Sequence, residues 1–300
     1  MLCKNPYMMH GKAFGCGQCL PCRINRRRIW ANRITLEAAQ HKDNTFCTLT
    51  YDDKNLPEEG SLDPLAMTLF LKRLRKWFDQ HHGRKIRYYG VGEYGDQSQR
   101  PHYHLALFGF PNCERGRTAQ RRNGSCCTYC DTVSDLWGKG RVELASLEPG
   151  SASYVAGYVT KKLTKPDDPR LEGRHPEFAR MSLRPGIGAG MMDEIASTLM
   201  ELEIEYDDVP DATQQGKKKY PLGRYLRQQL RLRVGREKTT PETVLAEIDE
   251  KMRPLREIAE ANSARGHKSF YLKQLIIEAG EGKRQRLEGR YNRMKKRHNI

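Results

Sequence analysis

No run of apolar residues in the 300-residue chain approaches the roughly 20 needed to cross a bilayer, so no membrane-spanning helix is expected. The opening stretch, MLCKNPYMMHGK, lacks the apolar core of a secretion signal. No internal repeat is visible, which sets aside solenoid and propeller architectures. Acidic residues are in the minority: 37 Asp and Glu against 53 Lys and Arg leave a net charge of +16. That balance calls for an anionic partner, either nucleic acid or an anionic membrane surface. Without a span or a signal, a cytosolic chain is expected. Nine cysteines in that compartment bind metal or stay reduced rather than form disulfides. The length allows one large or two ordinary domains.

The most informative stretch is Lys85 to Phe110. It reads as two strands, Ile86 to Glu93 and His102 to Phe108, joined by a polar turn. Side chains alternate across a strand, so His102 and His104 share one face and Tyr103 takes the other. With Glu93 beside them on a paired strand they form a three-ligand metal site with open positions. The plain alternative is two surface histidines at a strand start. A strand over Phe46 to Tyr51 precedes this pair, and a helix from Pro64 to Gln80 is expected, N-capped by Asp63. Its apolar stripe is read as Leu65, Leu69, Leu74 and Phe78. Another strand covers Gly140 to Leu147. A helix begins near Ser151 or Ser153 and stops at Pro166. It carries Tyr154, Tyr158 and Lys161 at spacings that put all three on one face. The order of elements predicts an α+β fold with a central antiparallel sheet flanked by helices.

Two groups of cysteines stand apart. Cys3, Cys16, Cys19 and Cys22 offer four soft ligands suited to tetrahedral zinc, with an iron–sulfur cluster or unliganded thiols as rivals. Cys113, Cys126, Cys127 and Cys130 offer a second set in a basic insertion, which also reads as a disordered loop with free thiols. Between the first set and the sheet runs a helix, Arg23 to Gln40, with Ile24, Trp30, Ile34 and Ala38 facing inward. Arg23, Arg26, Arg27, Arg28 and Arg33 line the rest. With no acid before Glu37 this face suits phosphate contacts, or else simple solvation. The stretch Asp193 to Asp211 has no Lys or Arg and is read as a solvated helix-and-loop segment. From Lys251 onward fourteen Lys or Arg face five Glu, in a helical tail.

Taken together these residues resemble a known family. His102-Tyr103-His104 is similar to the histidine–hydrophobic–histidine (HUH) motif of rolling-circle replication initiators. YVAGYVTK, from Tyr154 to Lys161, resembles the Y-x-x-x-Y-x-x-K helix of the two-tyrosine branch, and FCTLTY sits where that family has its first strand motif. CGQCLPCRINRRRIW and MSLRPGIG look like the initiators of gokushovirus-type (microvirus) single-stranded-DNA phages, and the resemblance covers roughly residues 1 to 235. It implies an HUH, ferredoxin-like nuclease core that nicks and rejoins origin DNA of the replicative form through a 5′-phosphotyrosine. Tyr154 and Tyr158 would be the nucleophiles and Lys161 their helper. Glu93, His102 and His104 would hold Mg²⁺ or Mn²⁺. By the same analogy the partners are phage origin DNA and the host helicase and polymerase, and the setting is the host bacterial cytoplasm. The expected division is a cysteine- and arginine-rich segment at 1–45, the nuclease core at 46–165, an extension with the acidic stretch at 166–236 and the basic helical tail at 237–300. Competing readings are a zinc-stabilised, non-catalytic DNA- or RNA-binding regulator, or another HUH enzyme. No third histidine lies close to His102 in sequence, unlike the usual relaxase, and HUH transposases use one tyrosine in a smaller chain.

Overall fold

A computed structural model describes residues 2–95, 97–116, 126–161, 168–203, 207–262 and 267–297. For residues 149, 158–161, 215 and 294–297 it describes the backbone alone. In chain order the regular elements are β1 (Tyr7–Met9), β2 (Lys12–Phe14), α1 (Leu20–Ala39), β3 (Asn44–Thr50), α2 (Pro64–His82), β4 (Arg87–Tyr94) and β5 (Pro101–Phe108). They continue with α3 (Thr128–Trp137), β6 (Val142–Ser146), α4 (Pro149–Lys161), β7 (Phe178–Met181), α5 (Met191–Glu201), β8 (Ala212–Gln215), β9 (Lys218–Pro221), α6 (Gly223–Arg233), α7 (Glu242–Ala261), α8 (Lys268–Ala279) and α9 (Glu281–Arg297). The fold is α+β, built on a five-stranded antiparallel sheet in the order β6-β3-β5-β4-β7. No helix among the described residues is long and apolar enough to cross a membrane.

Both faces of the sheet are covered. One face carries Cys47, Leu49, Tyr103, Leu105, Leu107 and Leu144, which pack against α2 and α3. The opposite face carries Phe46, Tyr89, Val91, Ala106 and Phe108, which pack against α1 and α4. Strict alternation along β3 and β5 sends each residue to one of these two cores, as the pleat requires. Helix α2 is capped as expected: the Asp63 carboxylate accepts from Leu65 N at 2.8 Å, and Gly83 closes it in the left-handed conformation at φ 61°. Its buried stripe, however, is Met67, Phe70, Leu71, Leu74 and Phe78, whereas Leu65 and Leu69 are 61 % and 41 % exposed. The i, i+3, i+4, i+7 spacing from Met67 is the better fit to a helix face. A stripe begun at Leu65 is rotated away from the sheet.

Beyond residue 167 the chain is more regular than its turn-rich composition implies. Strand β7 adds a fifth strand beside β4. The acidic stretch lies against α6, with Asp193 paired to Arg233 at 2.6 Å and Asp208 held by Arg231 and Arg227. Its charges are met by basic partners as well as by water.

Helix α1 is enclosed on two sides, by the sheet and by α5, α6 and β9. Glu37 is 2 % exposed there, yet its carboxylate accepts from Arg87 Nε and from the backbone N–H of Gly188 at 2.6 Å, with His41 Nε2 at 3.5 Å. Burial pushes its pKa up, but the bonds from His41, Arg87 and Gly188 outweigh that and hold it below the usual carboxylate value. A lowered folded-state pKa stabilises the fold fully above the unfolded carboxylate value. The contribution disappears as pH falls through the folded value. Glu37→Gln is therefore expected to cost about 2–3 kcal/mol at pH 7, the scale of charged hydrogen bonds lost in the interior. The variant should also have a shallower acid limb. Urea unfolding at pH 7 and across the acid range checks both, and a variant as stable as the parent at pH 7 contradicts the expectation.

Candidate metal and tyrosine site

The register of β4, β5 and β3 assembles the centre. Glu93 pairs across from His102, and Thr48 pairs across from His104, so all four side chains occupy one face of three adjacent strands. His102 Nε2 lies 2.8 Å and His104 Nε2 3.2 Å from the same carboxylate oxygen, Glu93 Oε1. The three ligand atoms all lie within 4.8 Å of one another. Glu93 and His104 are each 6 % exposed.

The imidazoles are anchored from behind. His102 Nδ1 lies 3.1 Å from the carbonyl oxygen of Arg100, and His104 Nδ1 lies 3.0 Å from Thr48 Oγ1. Phe46 stacks flat on the His104 ring, 5.4 Å between centroids at 7°. Both nitrogens of His102 thus face oxygen acceptors. A neutral imidazole has only one N–H, so this ring is either doubly protonated or presents Nε2 to a cation. Burial disfavours the charged ring, but the Glu93 hydrogen bond and charge prevail and raise its pKa. For His104 burial wins, and its pKa is lowered despite Glu93. Glu93 is pushed up by burial and down further by its two histidine partners, leaving it ionised. Glu177 and Glu143 add negative field at His102 and His104 respectively. Two imidazole nitrogens and a carboxylate, with both Nδ1 atoms already engaged, fit a divalent cation held through Nε2 and Oε1.

Helix α4 crosses this face, burying Ala152, Val155 and Ala156 against the sheet. The Tyr154 ring, 47 % exposed, lies edge-on to His104 at 5.8 Å and to Phe46 at 6.1 Å between centroids. Tyr158 and Lys161 occupy the following turn of α4, and their side chains lie outside the described residues. Tyr103, on the opposite face, is fully buried and bonded to Tyr51 Oη at 2.8 Å. Burial pushes its phenol up to about 12, which suits a core group.

The arginines of α1 have varied surroundings. Arg27 reaches α4, donating from Nε to Ser153 O at 3.0 Å and from Nη2 to Ser153 Oγ at 3.3 Å. A Cβ at Gly157 would lie 3.1 Å from Arg27 Nε, so glycine leaves room for this crossing. Arg33 donates to Ile187 O and is sandwiched between Trp30 and Tyr225, 4.1 and 4.7 Å from the ring centroids. Arg28 donates to Lys219 O at 2.8 Å, while Arg23 and Arg26 lie half-buried in the first two turns. The cysteines form two compact sets, each with its sulfurs within 4.8 Å of one another: Cys3, Cys16, Cys19 and Cys22, then Cys113, Cys126, Cys127 and Cys130.

Sequence reasoning found Glu93, His102 and His104 but not Thr48, Glu143 or Glu177. Thr48 and Glu143 lie in strands recognisable from sequence. Only the register places them in the row of His104.

Comparisons with known proteins agree with this geometry. Residues 44–163 match the family model for replication-associated proteins of the ORF2 type. The chain is 37% identical over 160 residues to Replication-associated protein VP4 of Bdellovibrio phage phiMH2K, covering 52% of this chain and 50% of that protein. It is 33% identical over 215 residues to Replication-associated protein ORF2 of Spiroplasma virus 4, covering 70% and 65%. It is 34% identical over 151 residues to Replication-associated protein ORF4 of Chlamydia phage 1, covering 49% and 38%. The matched stretches thus span from about two fifths to about two thirds of those relatives' lengths. No solved structure matches the chain. The matched segment begins at the first strand of the sheet and ends just past the tyrosine helix, and through it the chain belongs to the ORF2 family of replication-associated proteins.

Proposed function

We propose that this protein acts in phage DNA replication as an origin nickase and strand-closing enzyme, working through a phosphotyrosine link. The observation that carries the reading is the position of Tyr154, whose ring lies against His104 of the Glu93–His102–His104 triad. The scissile phosphate sits between that phenol and the triad. The phenol oxygen attacks phosphorus, the bond to the 3′ oxygen breaks, and the departing oxygen takes up a proton to become a 3′-OH. The new link between the Tyr oxygen and the 5′ phosphate keeps the phosphodiester's free energy, so a later 3′-OH can displace the tyrosine and close the strand. Tyr158, one turn along α4, repeats the first step on a regenerated origin. A phenol with an ordinary pKa near 10 is a weak nucleophile, so Lys161 on the same helix serves to stabilise the phenolate. Glu93, His102 and His104 hold Mg²⁺ or Mn²⁺, which when bound polarises a phosphate oxygen and offsets charge at phosphorus. The net charge of +16 supplies the non-specific attraction for DNA. The 3′-OH left at the nick suits extension by a host polymerase, with a host helicase opening the duplex.

The test is incubation with a single-stranded origin oligonucleotide and Mn²⁺, followed by denaturing electrophoresis. A DNA–protein adduct that survives SDS, and is lost when EDTA replaces the metal, is the expected result. Tight binding without adduct would leave the non-catalytic regulator in its place.

Thr48 acts on the site through His104, so Thr48→Val tests the anchoring. The expected result is metal affinity weaker by roughly 10–100-fold, as for other partners that orient a ligating histidine. Calorimetric Mn²⁺ titration measures this, and an unchanged affinity removes Thr48 from the site.

A further inference from the structure

Eight of the nine cysteines fall into the two sets of four, and only Cys47 lies elsewhere. The sets are built alike. Each uses a Cys-x-x-Cys at the start of a helix: Cys19 is the N-cap of α1 with Cys22 in its first turn, and Cys127 is the N-cap of α3 with Cys130 in its first turn. Neither N-cap makes a side-chain cap bond. The uncapped N–H groups and the helix dipole favour thiolate there. Each set draws its other two sulfurs from a preceding loop, from positions 13 apart: Cys3 with Cys16, and Cys113 with Cys126.

The spacing suits one ion in each set. Cys3 and Cys19 sulfurs are 3.8 Å apart, and Cys113 and Cys126 sulfurs 3.6 Å. A disulfide requires ~2.05 Å. Four sulfurs ~2.3 Å from a central zinc lie ~3.8 Å from one another along the edges of a tetrahedron. In the first set the backbone N–H groups of Lys4, Cys16 and Cys19 donate to the sulfurs of Cys19, Cys3 and Cys16 at 3.4, 3.2 and 3.3 Å. Such donors stabilise negative charge on sulfur. Gly17, at φ 73°, makes the turn that folds Cys16 back towards Cys19.

The two sets join different things. The second ties the exit of β5 to the start of α3, inside the core that also holds Phe110 and Phe78. The first lies where distant parts of the chain meet. The buried Arg284 of α9 donates to Cys3 O at 3.5 Å, Lys4 pairs with Glu288 at 2.9 Å, and Lys273 of α8 donates to Asn5 Oδ1 at 2.8 Å. Met8 and Ala13 of the N-terminal hairpin pack against Leu272 and Ile276. These are few and mostly polar contacts, and their N-terminal partners Cys3, Lys4 and Asn5 hang on the cysteine set itself.

We propose that the two sets are separate tetrathiolate zinc sites, and that the first is the clasp fastening the C-terminal helices α8 and α9 to the front of α1. The proposal does not depend on the nicking chemistry. The test begins with the full chain purified without added metal, by elemental analysis. Two zinc ions per chain are expected, and a His102→Ala, His104→Ala variant should retain both. The pair Cys3→Ser, Cys19→Ser should keep one zinc and lose amide-exchange protection across α8 and α9, with β3 and β5 still protected. The pair Cys113→Ser, Cys126→Ser should also keep one zinc but leave α8 and α9 protected. Should either variant fail to fold, the parent protein decides. Cobalt replacing zinc should show the visible bands of tetrahedral thiolate coordination at two equivalents. Stepwise metal release with a thiol-reactive mercurial should expose α8 and α9 at one of its two steps. Iron with inorganic sulfide, disulfide-linked peptides, or fewer than two zinc ions would overturn the assignment. Unaltered protection of α8 and α9 after the first site is emptied would overturn the clasp.

Discussion

Tyr154→Phe combined with Tyr158→Phe is expected to abolish the covalent DNA adduct, while either single substitution leaves a measurable amount. The reasoning is geometric. Tyr154 lies beside His104, and Tyr158 follows it by four residues on the same helix, a spacing that repeats a helix face within one turn. Two phenols that serve in alternation can each begin the reaction when the other is absent. Losing both removes the nucleophile altogether, and deleting a nucleophile costs roughly 10⁴-fold or more in rate. Tyr154 is half exposed, so Phe there removes a hydroxyl with little loss of packing. Unchanged thermal melting would confirm that the fold survives. An adduct persisting in the double variant would place the nucleophile elsewhere. Complete loss in Tyr154→Phe, with Tyr158→Phe behaving like the parent, would mean a one-tyrosine enzyme.

The second large effect concerns the triad. His104→Ala and Glu93→Gln each remove a converging ligand atom, and Glu93→Gln also removes the charge that both histidines face. Polarising the phosphate is worth several kcal/mol, so nicking should fall by about 10³-fold or more. Binding of the same oligonucleotide should change by only a few fold, because phosphate contacts by basic side chains govern non-specific affinity. Measuring adduct formation and DNA affinity on the same preparations separates these effects. If both fall together, the triad serves the fold or the DNA surface rather than the chemistry.

Much of the candidate site was readable from local pattern. His-Tyr-His in a strand puts the two imidazoles on one face whatever the strand pairs with, and Tyr-x-x-x-Tyr in a helix aligns the phenols whatever the helix packs on. The thiol sets also announced themselves by spacing. The second set looked ambiguous because Cys126 and Cys127 are adjacent. Its ambiguity disappears once Cys127 is the N-cap of α3 and Cys126 still belongs to the preceding loop. The stripe of α2 was misread because Leu65 and Leu69 are as apolar as the residues that are buried. Strands β1, β2, β7, β8 and β9 escaped notice because they are only three or four residues long, too short for an alternation to declare itself. The arginines of α1 read alike in sequence, yet Arg27 braces the tyrosine helix and Arg33 fills a slot between two aromatic rings.

The amino-acid order by itself determined the basic charge, the principal helices and strands, the capping of α2, the shared face of His102 and His104, and the two groups of thiols. Each of these depends on neighbours within a few positions, where the backbone geometry of helix and strand is already set. Tertiary structure alone decided that Glu93 meets both histidines at one oxygen, that Thr48 anchors His104, that Tyr154 lies on the triad's side of the sheet, and that the C-terminal helices fasten beside Cys3. These relations join residues far apart in the chain. They follow from strand register and from which core each helix buries its apolar face in, and a linear pattern carries neither.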